Sequence, residues 1–184
     1  MKTIDEDIKN GQIKQIYLLY GEEAYLKKQY RNKIKNAVVA KGDNMNFSSF
    51  EGKGINTKEL IDLAETLPFF ADKRLILIEN SGFFKNAGDD LAEYLKEVPA
   101  SVCFVFVEEE VDKRSKMYKA VKGNGCMIAF DKQNEDLLIR WISSRVKKEN
   151  KNITGKAMQL FFTKTGADMG NINQELEKLF CYTL

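Results

Sequence analysis

The stretch Ile16-Tyr17-Leu18-Leu19-Tyr20-Gly21-Glu22-Glu23-Ala24-Tyr25-Leu26 sets the reading of the whole chain. A short apolar run, a glycine and then a segment of helical period make a strand-to-helix unit. A strand without a polar alternation is covered on both faces, as in a parallel sheet. Working outward from this strand at 16–19, further strands are expected over 46–50, 74–78, 102–107 and 126–130, and three of the five are near-continuously apolar. Helices are expected between them: 24–41 ending before Gly42, 57–66 after the N-cap Asn56 with Glu59 in capping-box position, 89–97 before Pro99, and 116–122 stopping at Gly123. Pro68 closes the helix before it. Alternating strands and helices imply an α/β domain built on one five-stranded parallel sheet.

After Asp131-Lys132-Gln133-Asn134 no strand signal remains. Three amphipathic helices follow, with apolar faces Leu138/Trp141/Ile142/Val146, Met158/Phe161/Phe162 and Ile172/Leu176/Leu179/Phe180. Thr154 and Asn171 read as N-caps, and Gly166 as the end of the middle helix. The expected organisation is therefore an α/β domain over 1–132 and a small three-helix lid over 133–184. By analogy of fold, that pairing is the AAA+ arrangement.

In such a domain the turn after the first strand cradles phosphate, and a working loop reads GxxxxGK[ST], with glycines that free backbone N–H groups, a lysine for charge and a hydroxyl for magnesium. Here Gly21 is followed by Glu22 and Glu23, with neither the second glycine nor the Lys-Ser/Thr pair. Carboxylates at a helix N-terminus satisfy its dipole and repel a triphosphate. Two apolar strands end in acid, at Glu79 and at Glu108-Glu109-Glu110, in imitation of a Walker B motif. Without a cradle those acids have nothing to position, and no ATPase activity, cofactor or metal is expected.

Composition excludes further chemistry. With no histidine, a Ser-His-Asp triad, a Cys-His dyad and a His-containing zinc site are all absent. Cys103, Cys126 and Cys181 lack CxxC spacing and read as reduced cysteines acting as small buried hydrophobes. Lys and Arg number 29 against 27 Asp and Glu, so overall charge does not imply nucleic-acid or membrane binding. The polar, acidic start and the lack of any long apolar run read as a soluble, cytoplasmic protein that has no membrane partner.

Four segments in this order resemble one family. They are residues 16–26, then Thr66-Leu67-Pro68-Phe69-Phe70-Ala71-Asp72-Lys73-Arg74, then Val111-Asp112-Lys113-Arg114-Ser115-Lys116, then Glu175-Leu176-Glu177-Lys178-Leu179. They look like successive signatures of the delta subunit of the bacterial DNA polymerase III clamp loader. Members are similar to AAA+ ATPases in fold and lack the nucleotide site, which agrees with the loop read above. The resemblance implies a non-enzymatic role in DNA replication within the polymerase III holoenzyme: binding the sliding clamp (the beta subunit) and promoting ring opening. It implies gamma/tau and delta-prime subunits as partners of the full-length protein. Members continue into a helical collar, whereas this sequence stops at Phe180-Cys181-Tyr182-Thr183-Leu184 without a helix-ending signal, so a truncated chain is expected.

The resemblance puts clamp contact on Phe69 and Phe70, flanked by Leu67. The residues support it separately: adjacent side chains on a loop rarely both point inward, Ala71-Asp72-Lys73-Arg74 reads as surface, and exposed aromatic clusters mark partner sites. The competing reading, that both rings cap the core, weighs equally on composition alone. Phe83 and Phe84, on the loop after the third strand, read as core packing or as a peripheral clamp contact. The basic runs 112–116 and 145–151 read as solvated faces, or as a weak contact to DNA or to neighbouring subunits. An AAA+-type P-loop ATPase with an unusual loop, or a generic AAA+-like interaction domain, remains the alternative.

Overall fold

A computed structural model of the chain describes residues 2–182. It divides after Phe130 into two compact units. The first carries β1 (Ile16–Tyr20), β2 (Phe47–Glu51), β3 (Arg74–Glu79), β4 (Val102–Glu108) and β5 (Cys126–Ala129) in one sheet of order β2-β3-β4-β1-β5. All four pairings are parallel, with Leu18 opposite Phe106 and Leu77 opposite Val105. The apolar runs occupy the interior positions: β1, β3 and β4 are buried along almost their whole length, while β2, on an edge, is half exposed. Helices α1 (Lys2–Lys9), α2 (Ala24–Val38), α3 (Thr57–Glu65), α4 (Phe83–Asn86), α5 (Asp89–Tyr94) and α6 (Lys116–Asn124) connect and cover the sheet.

Local chemistry explains most boundaries. Asn56 caps α3 by accepting the N–H of Lys58, and Ser115 caps α6 by accepting that of Tyr118. Gly21 stands at φ +118, and a Cβ there would lie 2.5 Å from the Phe130 carbonyl oxygen, so the close approach of the β1–α2 turn to β5 demands glycine. Several boundaries differ from the sequence reading: α2 stops at Val38, α5 stops at Tyr94, and α6 runs through Gly123 to Asn124.

Helix α1 was not expected from its polar sequence. Ile4 is its buried anchor, and its acids bond the next elements: Tyr17 donates to Asp7 (3.1 Å), while Tyr30 (2.9 Å) and Lys33 (2.8 Å) donate to Asp5. Burial pushes the Tyr30 hydroxyl up to about 12, with the Asp5 hydrogen bond adding to the effect.

The second unit holds α7 (Glu135–Lys148), α8 (Gly155–Thr165) and α9 (Met169–Tyr182). Leu138, Ile142, Val146, Met158, Met169, Ile172 and Leu176 are buried; Trp141, Phe161, Phe162 and Phe180 are half-buried and Leu179 is exposed. Asn171, read as the cap of α9, lies inside it, and its N–H donates to Asp168 at 2.7 Å, making Asp168 the cap. Cys103 and Cys126 are buried as expected, but Cys181 is exposed near the end of α9. Thr183 and Leu184, part of the ending read as lacking a stop signal, lie outside the described residues.

Candidate functional site

Two places in the first unit bear on function, and they lie at opposite ends of the sheet. At the carboxyl ends of β1 and β4 is the position where ligands bind in open α/β folds. Here the turn spends its own donors on the protein: Gly21 N–H reaches the Glu109 carbonyl (3.2 Å), Glu23 N–H reaches the Phe130 carbonyl (2.9 Å), and Tyr25 N–H reaches the Glu23 carboxylate (3.3 Å). Lys27, one turn into α2, is buried and donates to the Glu108 carbonyl at 2.9 Å. Burial pulls its ammonium below the ordinary lysine value, against the attraction of Glu109, Glu108 and Glu23. Glu108 is buried as well. Its carboxylate accepts the Ser81 N–H at 3.0 Å and the Ser81 hydroxyl, and burial pushes its pKa upward despite those bonds. Arg31 grips Glu79 with both contacts under 3 Å, at 2.8 and 2.9 Å. Glu79 and Glu108, the first acid of each Walker B imitation, thus have structural partners: Ser81 for Glu108 and Arg31 for Glu79. Among the described residues, no group of three or more His, Cys, Asp or Glu side chains could hold a metal ion.

At the amino end of β3 the chain does the reverse and shows apolar surface. In the loop between α3 and β3, Leu67 is 79% exposed, Phe69 56% and Phe70 95%. The two rings meet edge to face, with centroids 4.6 Å apart, so each shields part of the other and the pair stands as one knob. Phe70 has φ +48, a left-handed conformation uncommon for a non-glycine residue. Met45, in the loop before β2, is another exposed large hydrophobic residue.

The knob rests on buried polar side chains that sequence reasoning missed. Asn46 is 1% exposed; its amide accepts the Phe69 N–H (2.7 Å) and donates to the Phe69 carbonyl (2.8 Å) and to Asp43 (2.7 Å). Arg74, expected at the surface, is buried and directs its guanidinium to the carbonyls of Met45 (3.1 Å), Thr66 (3.4 Å) and Leu67 (3.4 Å). One guanidinium thus ties the backbones of Met45 and Leu67. In the sequence, Asn46 and Arg74 are simply the polar first residues of the strands expected over 46–50 and 74–78, which gives no sign of their role.

Phe83 and Phe84, the second aromatic pair, are in the core instead. Phe84 is wholly buried and meets Phe106 edge to face at 5.3 Å; Phe83 is buried beside it, and neither offers surface to a partner. The basic runs are partly neutralised by neighbouring acids: Arg114 pairs with Asp112 (3.1 Å), Lys116 with Asp89 (2.6 Å), and Arg145 with Glu177. Among the described residues, no helix is long and apolar enough to cross a membrane.

Comparison with known proteins points one way. The family model described as DNA polymerase III, delta subunit, matches residues 17–131. DNA polymerase III subunit delta of Bacillus subtilis is 26% identical over an alignment spanning 95% of this chain and 54% of that protein. The solved structure of the Bacillus subtilis DNA clamp loader delta protein superposes with a TM-score of 0.78 at 25% identity, covering 98% of this chain and 57% of that one. Thermotoga maritima RuvB, an AAA+ protein, has a TM-score of 0.57 at 13% identity over 92% of this chain and 56% of its own, a likeness of fold alone. The chain spans about half the length of the curated relatives it matches.

Proposed function

The chain belongs to the family of DNA polymerase III delta subunits, and from that membership we propose that it grips the replication sliding clamp through the exposed knob Leu67, Phe69 and Phe70. The observation that carries this reading is the 95% exposure of Phe70 on a loop whose backbone is pinned from beneath. Large aromatic side chains kept in water, on a rigid base, are the usual anchors of a protein interface. Seated in an apolar groove of the clamp, the knob promotes ring opening if the open ring binds it more tightly than the closed ring, since only differential affinity shifts such an equilibrium.

The protein contributes binding and no nucleotide chemistry of its own. The turn N–H groups that a phosphate cradle would need are already donated to Glu109 and Phe130, and Lys27 is held by the Glu108 carbonyl. On this reading ATP acts through gamma/tau partners that, with delta-prime, assemble with the full-length protein, and the work is done in the cytoplasm. Calorimetric titration of the chain into purified sliding clamp tests the proposal. The expected result is saturable binding that is unchanged by ATP and magnesium, and no heat when ATP is titrated into the chain alone. No binding to the clamp overturns the grip; tight ATP binding overturns the second part in favour of an unusual P-loop ATPase.

A further inference from the structure

An exposed pair of phenylalanines is costly to present, because a free loop would fold the rings back onto the nearest apolar surface and would have to be ordered again on binding. The structure solves this with one side chain. Asn46 holds both the N–H and the C=O of Phe69, as a neighbouring strand would, at 2.7 and 2.8 Å. Its remaining amide hydrogen goes to Asp43, whose other oxygen accepts the N–H groups of Met45 (2.9 Å) and Asn46 (3.1 Å). Those hydrogen bonds, the Asn46 side chain's first, keep the Asp43 carboxyl below its ordinary value. The Asn46 carbonyl in turn accepts the Leu75 N–H at 2.8 Å, which ties the clasp to β3. A buried Asn with its donors and acceptor all used is expensive to place and defines one geometry. Here that geometry includes the next residue, Phe70, at φ +48. A left-handed phenylalanine persists only where its surroundings over-determine it.

We propose that Asn46 is a positioning residue for partner binding: it holds the loop in the strained conformation that presents Phe69 and Phe70, so that the knob enters a protein groove already formed. This rests on the clamp reading above for its partner, but not for its geometry. Asp43 is the support of Asn46, and the two act as one unit.

The test uses the full chain, purified sliding clamp, and the variants Asn46→Ala, Asn46→Asp and Asp43→Asn/Asn46→Asp. Asn46→Ala should speed amide hydrogen exchange at Phe69 and Phe70 by about tenfold while β3 amides keep their rates, and should weaken clamp affinity by about tenfold, the loss of pre-organisation. Asn46→Asp sets two carboxylates against each other. The double variant restores a donor–acceptor pair and keeps an acceptor for the Phe69 N–H, so it should regain part of the affinity that Asn46→Asp loses. Wild-type affinity in Asn46→Ala, where Phe69→Ala/Phe70→Ala no longer binds, overturns the positioning role and leaves the clamp reading intact. If the double phenylalanine variant also binds normally, the clamp reading fails, and exchange at Phe69 alone decides the clasp: unchanged rates in Asn46→Ala overturn it.

Discussion

Two Phe-Phe pairs flank β3, and they have opposite fates. Phe69 and Phe70 precede the strand and stand in solvent; Phe83 and Phe84 follow it and are buried. Their side chains are identical, so hydrophobicity does not decide between them. The backbone does. Phe83 opens the single helical turn α4 after Gly82, at φ +76, and both rings, about 100° apart on the helix, belong to the core cluster that holds Phe106 of β4. Phe69 and Phe70 follow Pro68 in a loop whose peptide groups are held by Asn46, and the left-handed turn at Phe70 carries its ring outward. An apolar residue is exposed here because polar groups hold it there.

The contrast yields predictions of descending size. The largest concerns the buried pair: Phe84→Ala removes a ring packed on Phe106 and should cost about 3–5 kcal/mol of stability, read by denaturant unfolding, while clamp affinity measured well below the melting point stays at the wild-type level. A small stability loss with a large affinity loss would place the second pair at an interface after all. Next, Met45→Ala trims the margin of the knob and should weaken clamp binding by less than about tenfold, as a contact outside the central anchors does, with no change in melting. A loss equal to that of a phenylalanine would make Met45 a central anchor. The smallest effect belongs to the other end of the sheet. Burial raises the folded-state pKa of Glu108, so its contribution is fully present below the ordinary glutamate value and is lost as pH rises through the raised one. Glu108→Gln should therefore gain stability relative to wild type as pH rises to neutrality. A constant difference across that range would show that Glu108 titrates normally.

Much of this was legible beforehand, for identifiable reasons. Strands covered on both faces leave unbroken apolar runs, which is why β1, β3 and β4 could be read directly. The turn at Gly21-Glu22-Glu23 was readable as a strand-to-helix connection because a glycine stands between an apolar run and a segment of helical period. Helix α1 went unread although Ile4 and Ile8 stand one helical turn apart, because the segment is short and mostly polar and is held by Asp5 and Asp7 pairing with Tyr30, Lys33 and Tyr17, contacts that lie away along the chain. The clasp was hidden for the same reason: Asn46 and Arg74 matter through carbonyls and amides far away along the chain, and a polar residue at the start of a strand looks like a surface residue. The likeness to clamp-loader delta subunits pointed to the knob; nothing in the sequence pointed to its support.

On the proposed function, Phe69 and Phe70 are surface anchors for the sliding clamp rather than part of the core. Clamp affinity and melting temperature, measured on one sample of Phe69→Ala/Phe70→Ala, test it most directly. The expected result is an affinity loss of more than about a hundredfold, since such anchors carry about 2 kcal/mol or more each, with the melting temperature unchanged. Wild-type affinity, or a collapse of the melting temperature, would contradict it.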